Sequence, residues 1–174
     1  MTLADVFMTE LEHEARATRR VLERVPQAKL SWKPHPKSMS LGQLALHVAT
    51  IPGNVAKLVS VDTLPEPPKF LQPEAATAAE LVPALTASLA DARRILSGFD
   101  DAKMQATWRL LYDGRELMAL PRAAMLRNVM LNHWYHHRGQ LLVYLRMHDV
   151  PLPSVYGPTA DENPFAAAMS GAAR

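Results

Sequence analysis

The sequence predicts an all-α fold, a four-helix bundle with a short β-hairpin inserted between the third and fourth helices. Three observations carry that prediction. Four segments place apolar residues every three or four positions, the period of one helix face. Three of them open with signals suited to a helix start: Thr2 with Asp5, Ser40 with Gln43, and Thr77 with Glu80. One segment alternates instead and encloses Asp113-Gly114, the dipeptide of a tight hairpin turn.

The first helix is expected over residues 2–25, with Leu3, Phe7, Leu11, Ala15, Thr18 and Leu22 on one side and Pro26 as its stop. Pro34 and Pro36 exclude regular structure from residues 27–39. Ser40-Leu41-Gly42-Gln43 opens the second helix, whose inner stripe is Leu44, His47, Val48, Ile51, Val55 and Leu58. Pro52 lies inside that stripe and cannot donate to the carbonyl of Val48, which predicts a kink one turn past His47. The kink either tilts the His47 imidazole into a cavity or is a tolerated proline with no role.

Residues 62–73 form a proline-rich connector. The third helix follows, with Leu81, Leu85, Leu89, Ala92 and Leu96 inward. Pro83 argues for a start later than Thr77, and Gly98 marks the end. Trp108, Leu110 and Tyr112 alternate into the Asp113-Gly114 turn of a two-stranded hairpin. Pro121 suits the first turn of the last helix, expected to reach His148. Its face carries Leu126, Met130, His133, His137, Leu141 and Tyr144. Residues 1–165 read as one domain and residues 166–174 as a C-terminal tail, helical or disordered.

The composition excludes several function classes. A net charge of +2, with arginine pairs flanked by acids, offers no nucleic-acid surface. No apolar run is long enough for a membrane span, and the N-terminus does not read as a signal peptide, so a cytoplasmic location is expected. Cysteine is absent, which removes disulfides, thiolate metal sites and a cysteine nucleophile. A metal site here must use nitrogen and oxygen ligands.

The segment Asn132-His133-Trp134-Tyr135-His136-His137-Arg138-Gly139-Gln140 puts three histidines into five residues. His133 and His137 stand at i and i+4 on one helix face, and His47 lies on the inner stripe of another helix. Three imidazoles converging in a bundle would bind a metal and leave a fourth position open, the layout of a catalytic site. The plainer alternative is a set of core histidines bonded to backbone or carboxylates. His136, at i+3 from His133, is the substitute ligand or a rim residue. Arg138 and Gln140 are candidates for orienting the ligands or holding substrate, and Arg138 reads equally as a surface residue. A zincin-type protease is excluded, because Trp134 stands where His-Glu-x-x-His needs its glutamate.

These residues resemble the DinB family of DinB/YfiT-like metalloenzymes. The resemblance is carried by Leu30-Ser31-Trp32-Lys33-Pro34, by Ser40-Leu41-Gly42-Gln43-Leu44-Ala45-Leu46-His47-Val48-Ala49 and by Asn132 to Leu141. The closing Pro151-Leu152-Pro153-Ser154-Val155-Tyr156-Gly157-Pro158-Thr159-Ala160-Asp161-Glu162 adds to it, so it spans nearly the whole chain. It implies an antiparallel bundle of up-down-down-up connectivity, often a homodimer, with nickel or zinc held by His47, His133 and His137. It further implies a metal-dependent transferase using a low-molecular-weight thiol, a co-substrate suited to a chain without cysteine. The alternatives are a metal-dependent hydrolase, with Asp161 or Glu162 folding back as base, and a non-catalytic, stress-related metal-binding dimer. No catalytic residue beyond the ligands is readable from the sequence.

Overall fold

Helix α2 (Leu41–Ser60) is the hub of the molecule. In the computed structural model, which describes residues 1–69 and 71–166, it is buried on most sides, from Leu41 and Leu44 through Val48 and Ile51 to Val55 and Val59. It packs on α3 (Leu81–Leu96) and on the last helical segment, and α1 (Leu3–Leu22) lies chiefly against α3. A single apolar core runs through all four. No helix among the described residues is long and apolar enough to cross a membrane.

Two of the three helix starts form as their sequences demand. Thr2 Oγ1 accepts from the Asp5 N–H at 3.1 Å, and the Asp5 carboxylate accepts from the Thr2 N–H at 2.8 Å. Ser40 and Gln43 make the same reciprocal pair at 3.1 and 2.9 Å. The third differs. A single 3-10 turn, Ala78–Glu80, precedes α3, and the Thr77 hydroxyl donates to the Glu80 carboxylate instead of accepting a backbone N–H. Pro83 is then the third residue of α3, where its missing N–H is one of the donors a helix start leaves unpaired anyway.

Helix α2 continues through Pro52, and neighbours on both sides satisfy the hydrogen bonds the proline disrupts. The indole Nε1–H of Trp134 donates to the Val48 carbonyl at 2.8 Å. On the other side, the Gly53 N–H donates to Ser88 Oγ at 2.8 Å, and the Ser88 hydroxyl donates to the Thr50 carbonyl at 3.1 Å. A Cβ on residue 53 would stand 2.8 Å from the Ser88 carbonyl oxygen, so glycine is what lets α3 close on the break.

The fold is mostly helical with a three-stranded sheet, one strand more than the sequence suggested. β2 (Thr107–Tyr112) and β3 (Arg115–Pro121) form the antiparallel hairpin, and Asp113 and Gly114 turn at φ 50° and 70°. β1 (Thr63–Leu64) pairs in parallel with β2, inside the stretch expected to be irregular. A short helix, α4 (Asp101–Gln105), leads into β2. The end of α2 explains this docking. Trp108 Nε1 donates to the Leu58 carbonyl at 3.1 Å, and the buried Arg122 guanidinium donates to the carbonyls of Val59 at 2.9 Å and Val61 at 3.1 Å. The hairpin and Arg122, the residue that follows it, thus supply donors that the C-terminal carbonyls of α2 need.

The final helix is not one regular rod. It opens as α5 (Arg122–Met125), widens into a π-helical stretch over Leu126–Asn132, and returns to α-helix as α6 (His133–Arg146). The wider turns keep Leu126, Met130 and Leu131 all in the core. They also set the face of α6: its buried centre is Trp134, Arg138, Leu141 and Leu145. His133, His137 and Tyr144, expected at the centre, flank it half-buried. The expected tail lies outside the described residues except for Ala166.

Candidate metal centre

His47 leaves α2 one turn before Pro52, and His133 and His137 leave the first two turns of α6. Their ligand atoms all lie within 4.8 Å of one another. His47 Nε2 and His133 Nε2 are 3.3 Å apart. That spacing matches the edge of a tetrahedron with metal–nitrogen bonds near 2.0–2.1 Å, roughly 3.4 Å. The three rings meet edge-on or tilted, with centroids 4.5 to 5.2 Å apart, so none stacks over and blocks another's nitrogen.

At His137 and His133 the second ring nitrogen has a partner of its own. His137 Nδ1 lies 2.8 Å from Gln140 Oε1, an acceptor that fixes the proton on Nδ1 and leaves the Nε2 lone pair for the cluster. His133 bonds the backbone of Val129, one turn back in the π-helical stretch. Both orientations present unprotonated nitrogens toward the shared space.

The electrostatics favour the same state. Burial, followed by the His137 and His133 rings, pushes the His47 pKa down to about 4. Burial also lowers His133, with His136 adding to it. At His137, burial together with the neighbouring rings outweighs the contact with Gln140, which acts upward. Three neutral imidazoles are the form that binds a divalent cation. The donor set is all nitrogen, which suits zinc, nickel, cobalt or copper more than magnesium or calcium.

The other residues singled out in the sequence fall in different places. His136 is exposed at the rim, its ring centroid 5.0 Å from that of His137. Arg138 points away from the imidazoles into the core and is 1% exposed. It donates to the Glu14 carboxylate at 2.6 Å, the Glu14 carbonyl at 3.1 Å, Thr18 Oγ1 at 3.0 Å and the Tyr156 hydroxyl at 2.5 Å. Arg138 therefore ties α6 to α1 and to the closing segment, and orients no imidazole. Burial and the hydrogen bond to Glu14 raise the Tyr156 hydroxyl to about 12, so it stays a donor to that carboxylate. Asp161 pairs with Arg146 and accepts from the Leu152 N–H, and Glu162 pairs with Arg20 at 2.5 Å. Neither is among the partners of the three imidazoles.

Two roles were not singled out in the sequence: Trp134 as a support of this centre, and Glu14 as the partner of Arg138. Trp134 reads as an ordinary core residue, yet it joins the two helices that carry the histidines, one position after His133 on α6 and one after His47 on α2. The signal was present in Pro52, which guarantees a free Val48 carbonyl. Glu14 shares a buried face with Phe7, Leu11 and Thr18, so its carboxylate calls for a buried cation, but nothing local to α1 says that Arg138 supplies it.

The profile of the DinB superfamily matches residues 10–141, most of the chain and all three histidines. The chain belongs to the DinB superfamily. A curated relative, the uncharacterized protein YrdA of Bacillus subtilis (strain 168), is 25% identical over 159 residues, covering 91% of this chain and 90% of its own. Among solved structures, a DinB-like protein from Bacillus cereus ATCC 10987 superposes with a TM-score of 0.67 at 23% identity, over 86% of this chain and 95% of that one. The DinB-like protein YjoA of Bacillus subtilis gives 0.64 at 20% identity, over 86% and 96%. These two likenesses speak for the fold alone.

Proposed function

We propose that this DinB protein binds a divalent metal, nickel or zinc, through His47, His133 and His137 and works as a metal-dependent transferase on a low-molecular-weight thiol. The observation that carries the reading is the approach of the three imidazoles, with His47 and His133 nitrogens 3.3 Å apart and no carboxylate among them. In this reading the four long helical segments are the family's bundle, with up-down-down-up connectivity and the hairpin inserted before the last helix. The protein acts in the cytoplasm as a homodimer.

The bound metal would supply Lewis acidity, lowering the pKa of a thiol near it. The chain's own residues do the rest. Gln140 and Val129 hold the rings of His137 and His133, and Trp134 fixes the separation of their helices. His136, at the rim, takes up the proton the thiol releases. The thiol sulfur then forms a bond to an electrophilic carbon as that carbon's leaving group departs. A chain without cysteine is suited to this assignment, in which the reacting sulfur belongs to the co-substrate. The hydrolytic alternative is weaker, because Asp161 and Glu162 are engaged with Arg146 and Arg20.

The test is a conjugation assay with small thiols and a chlorinated aromatic electrophile, on the metal-loaded protein and on His137→Ala. Thiol-dependent turnover lost in the folded variant is the expected result. Turnover that survives metal removal contradicts the mechanism.

A further inference from the structure

The outer faces of α1 and α3 enclose a second feature, distinct from the histidine cluster on α2 and α6. It is a groove of about 480 Å³ whose floor is Met8, Leu11, Ala15 and Leu89. Arg16, Arg19 and Arg20 of α1 and Arg93 of α3 line it, with Glu12 as its one acid. Two of these cations are neutralised: Arg93 pairs with Glu12 at 2.8 Å and Arg20 with Glu162 at 2.5 Å. The other two bond neutral partners, Arg16 to His13 Nδ1 and Arg19 to Thr86 Oγ1, each at 3.0 Å.

We propose that this groove binds a small amphiphile with an unbranched apolar tail and a carboxylate head. The helix dipole accounts for basic residues in the last turn of α1. It does not account for Arg16, a turn earlier, nor for an apolar floor between guanidinium groups. Arg16 and Arg19 are neighbours at i and i+3, and neither forms an ion pair with a carboxylate among the described residues. A guanidinium fork matches a carboxylate, and two can share one. The Glu12–Arg93 pair closes one side of the groove and disfavours a doubly charged head there. The volume falls within the usual range for small-ligand pockets, about 300–1,000 Å³. The half-buried Met8, Ala15 and Leu89 offer the tail a trough that the arginine stems extend.

Calorimetry with decanoate, on the full-length protein, tests the proposal. Decanol and decyltrimethylammonium serve as controls for tail and charge, and Arg16→Gln/Arg19→Gln as the variant. The expected result is saturable one-to-one binding of decanoate, at least tenfold tighter than either control. The variant should lose at least tenfold while its metal content is unchanged. Three results would overturn it: no decanoate binding, equal binding of decanol, or undiminished binding by the variant. A fourth is a variant that turns a dimer into a monomer in sedimentation, which would make the groove a contact between two copies of the chain.

Discussion

Replacing Trp134 with phenylalanine removes one hydrogen-bond donor from the middle of the core. Trp134 and Val48 are both fully buried, and Pro52 leaves the Val48 carbonyl without its helical partner. The carbonyl would then have no donor, a cost of about 1–3 kcal/mol, on top of a packing loss from the smaller ring. A double-mutant cycle separates the two. Pro52→Ala restores an N–H that can bond Val48 within the helix, so in that background Trp134→Phe should keep its packing loss and shed the hydrogen-bond cost. Urea denaturation of the four proteins should therefore give a coupling of about 1–3 kcal/mol. Metal affinity, measured by competition with a chromogenic chelator, should fall about tenfold in Trp134→Phe, the low end of what removing an outer-shell support of a metal site costs. A coupling within about 0.5 kcal/mol of zero would refute the idea that the proline break and the indole form one unit.

Gln140→Ala leaves His137 Nδ1 without its acceptor and should weaken metal binding by about 10–100-fold with little loss of stability, checked by the same chelator competition and by thermal melting. Glu14→Ala strands the Arg138 guanidinium in the core, and denaturation should show a loss of about 3–5 kcal/mol, while a folded fraction keeps its metal. The depressed histidines make the metal-free protein acid-sensitive. His47 protonates near pH 6.5 when unfolded and near pH 4 when folded, so the unfolded state binds more protons between those values. Stability is full above about pH 6.5 and falls as pH drops toward 4. The His47→Gln protein should show a shallower slope of urea midpoint against pH in that window, and an unchanged slope would count against the burial that sets the shift.

What the sequence could and could not reveal follows from which forces are local. The starts of α1 and α2 were legible because Thr2–Asp5 and Ser40–Gln43 bond within four residues. The Asp113-Gly114 turn was legible because its backbone angles are a property of two residues. The start of α3 depended on competition between Thr77, Glu80 and Pro83, and the proline won. β1 was invisible, since two residues gain strand geometry only from the neighbouring β2. The facing of α6 was misjudged by one position because the π-helical stretch inserts its extra turn width where a regular period was assumed. That shift places His133 and His137 at the edge of the core, where a ligand can reach them, and gives its centre to Trp134 and Arg138. Arg138 lay beyond local reading: its partners Glu14 and Thr18 are more than a hundred residues away.

Three histidines from α2 and α6 are proposed to hold one metal ion. Elemental analysis of tag-free purified protein beside a His47→Ala/His137→Ala variant tests that proposal most directly. Close to one equivalent of nickel or zinc per chain is expected, absent from the variant. No metal in the unaltered protein after incubation with either ion, or equal metal in both proteins, would contradict it.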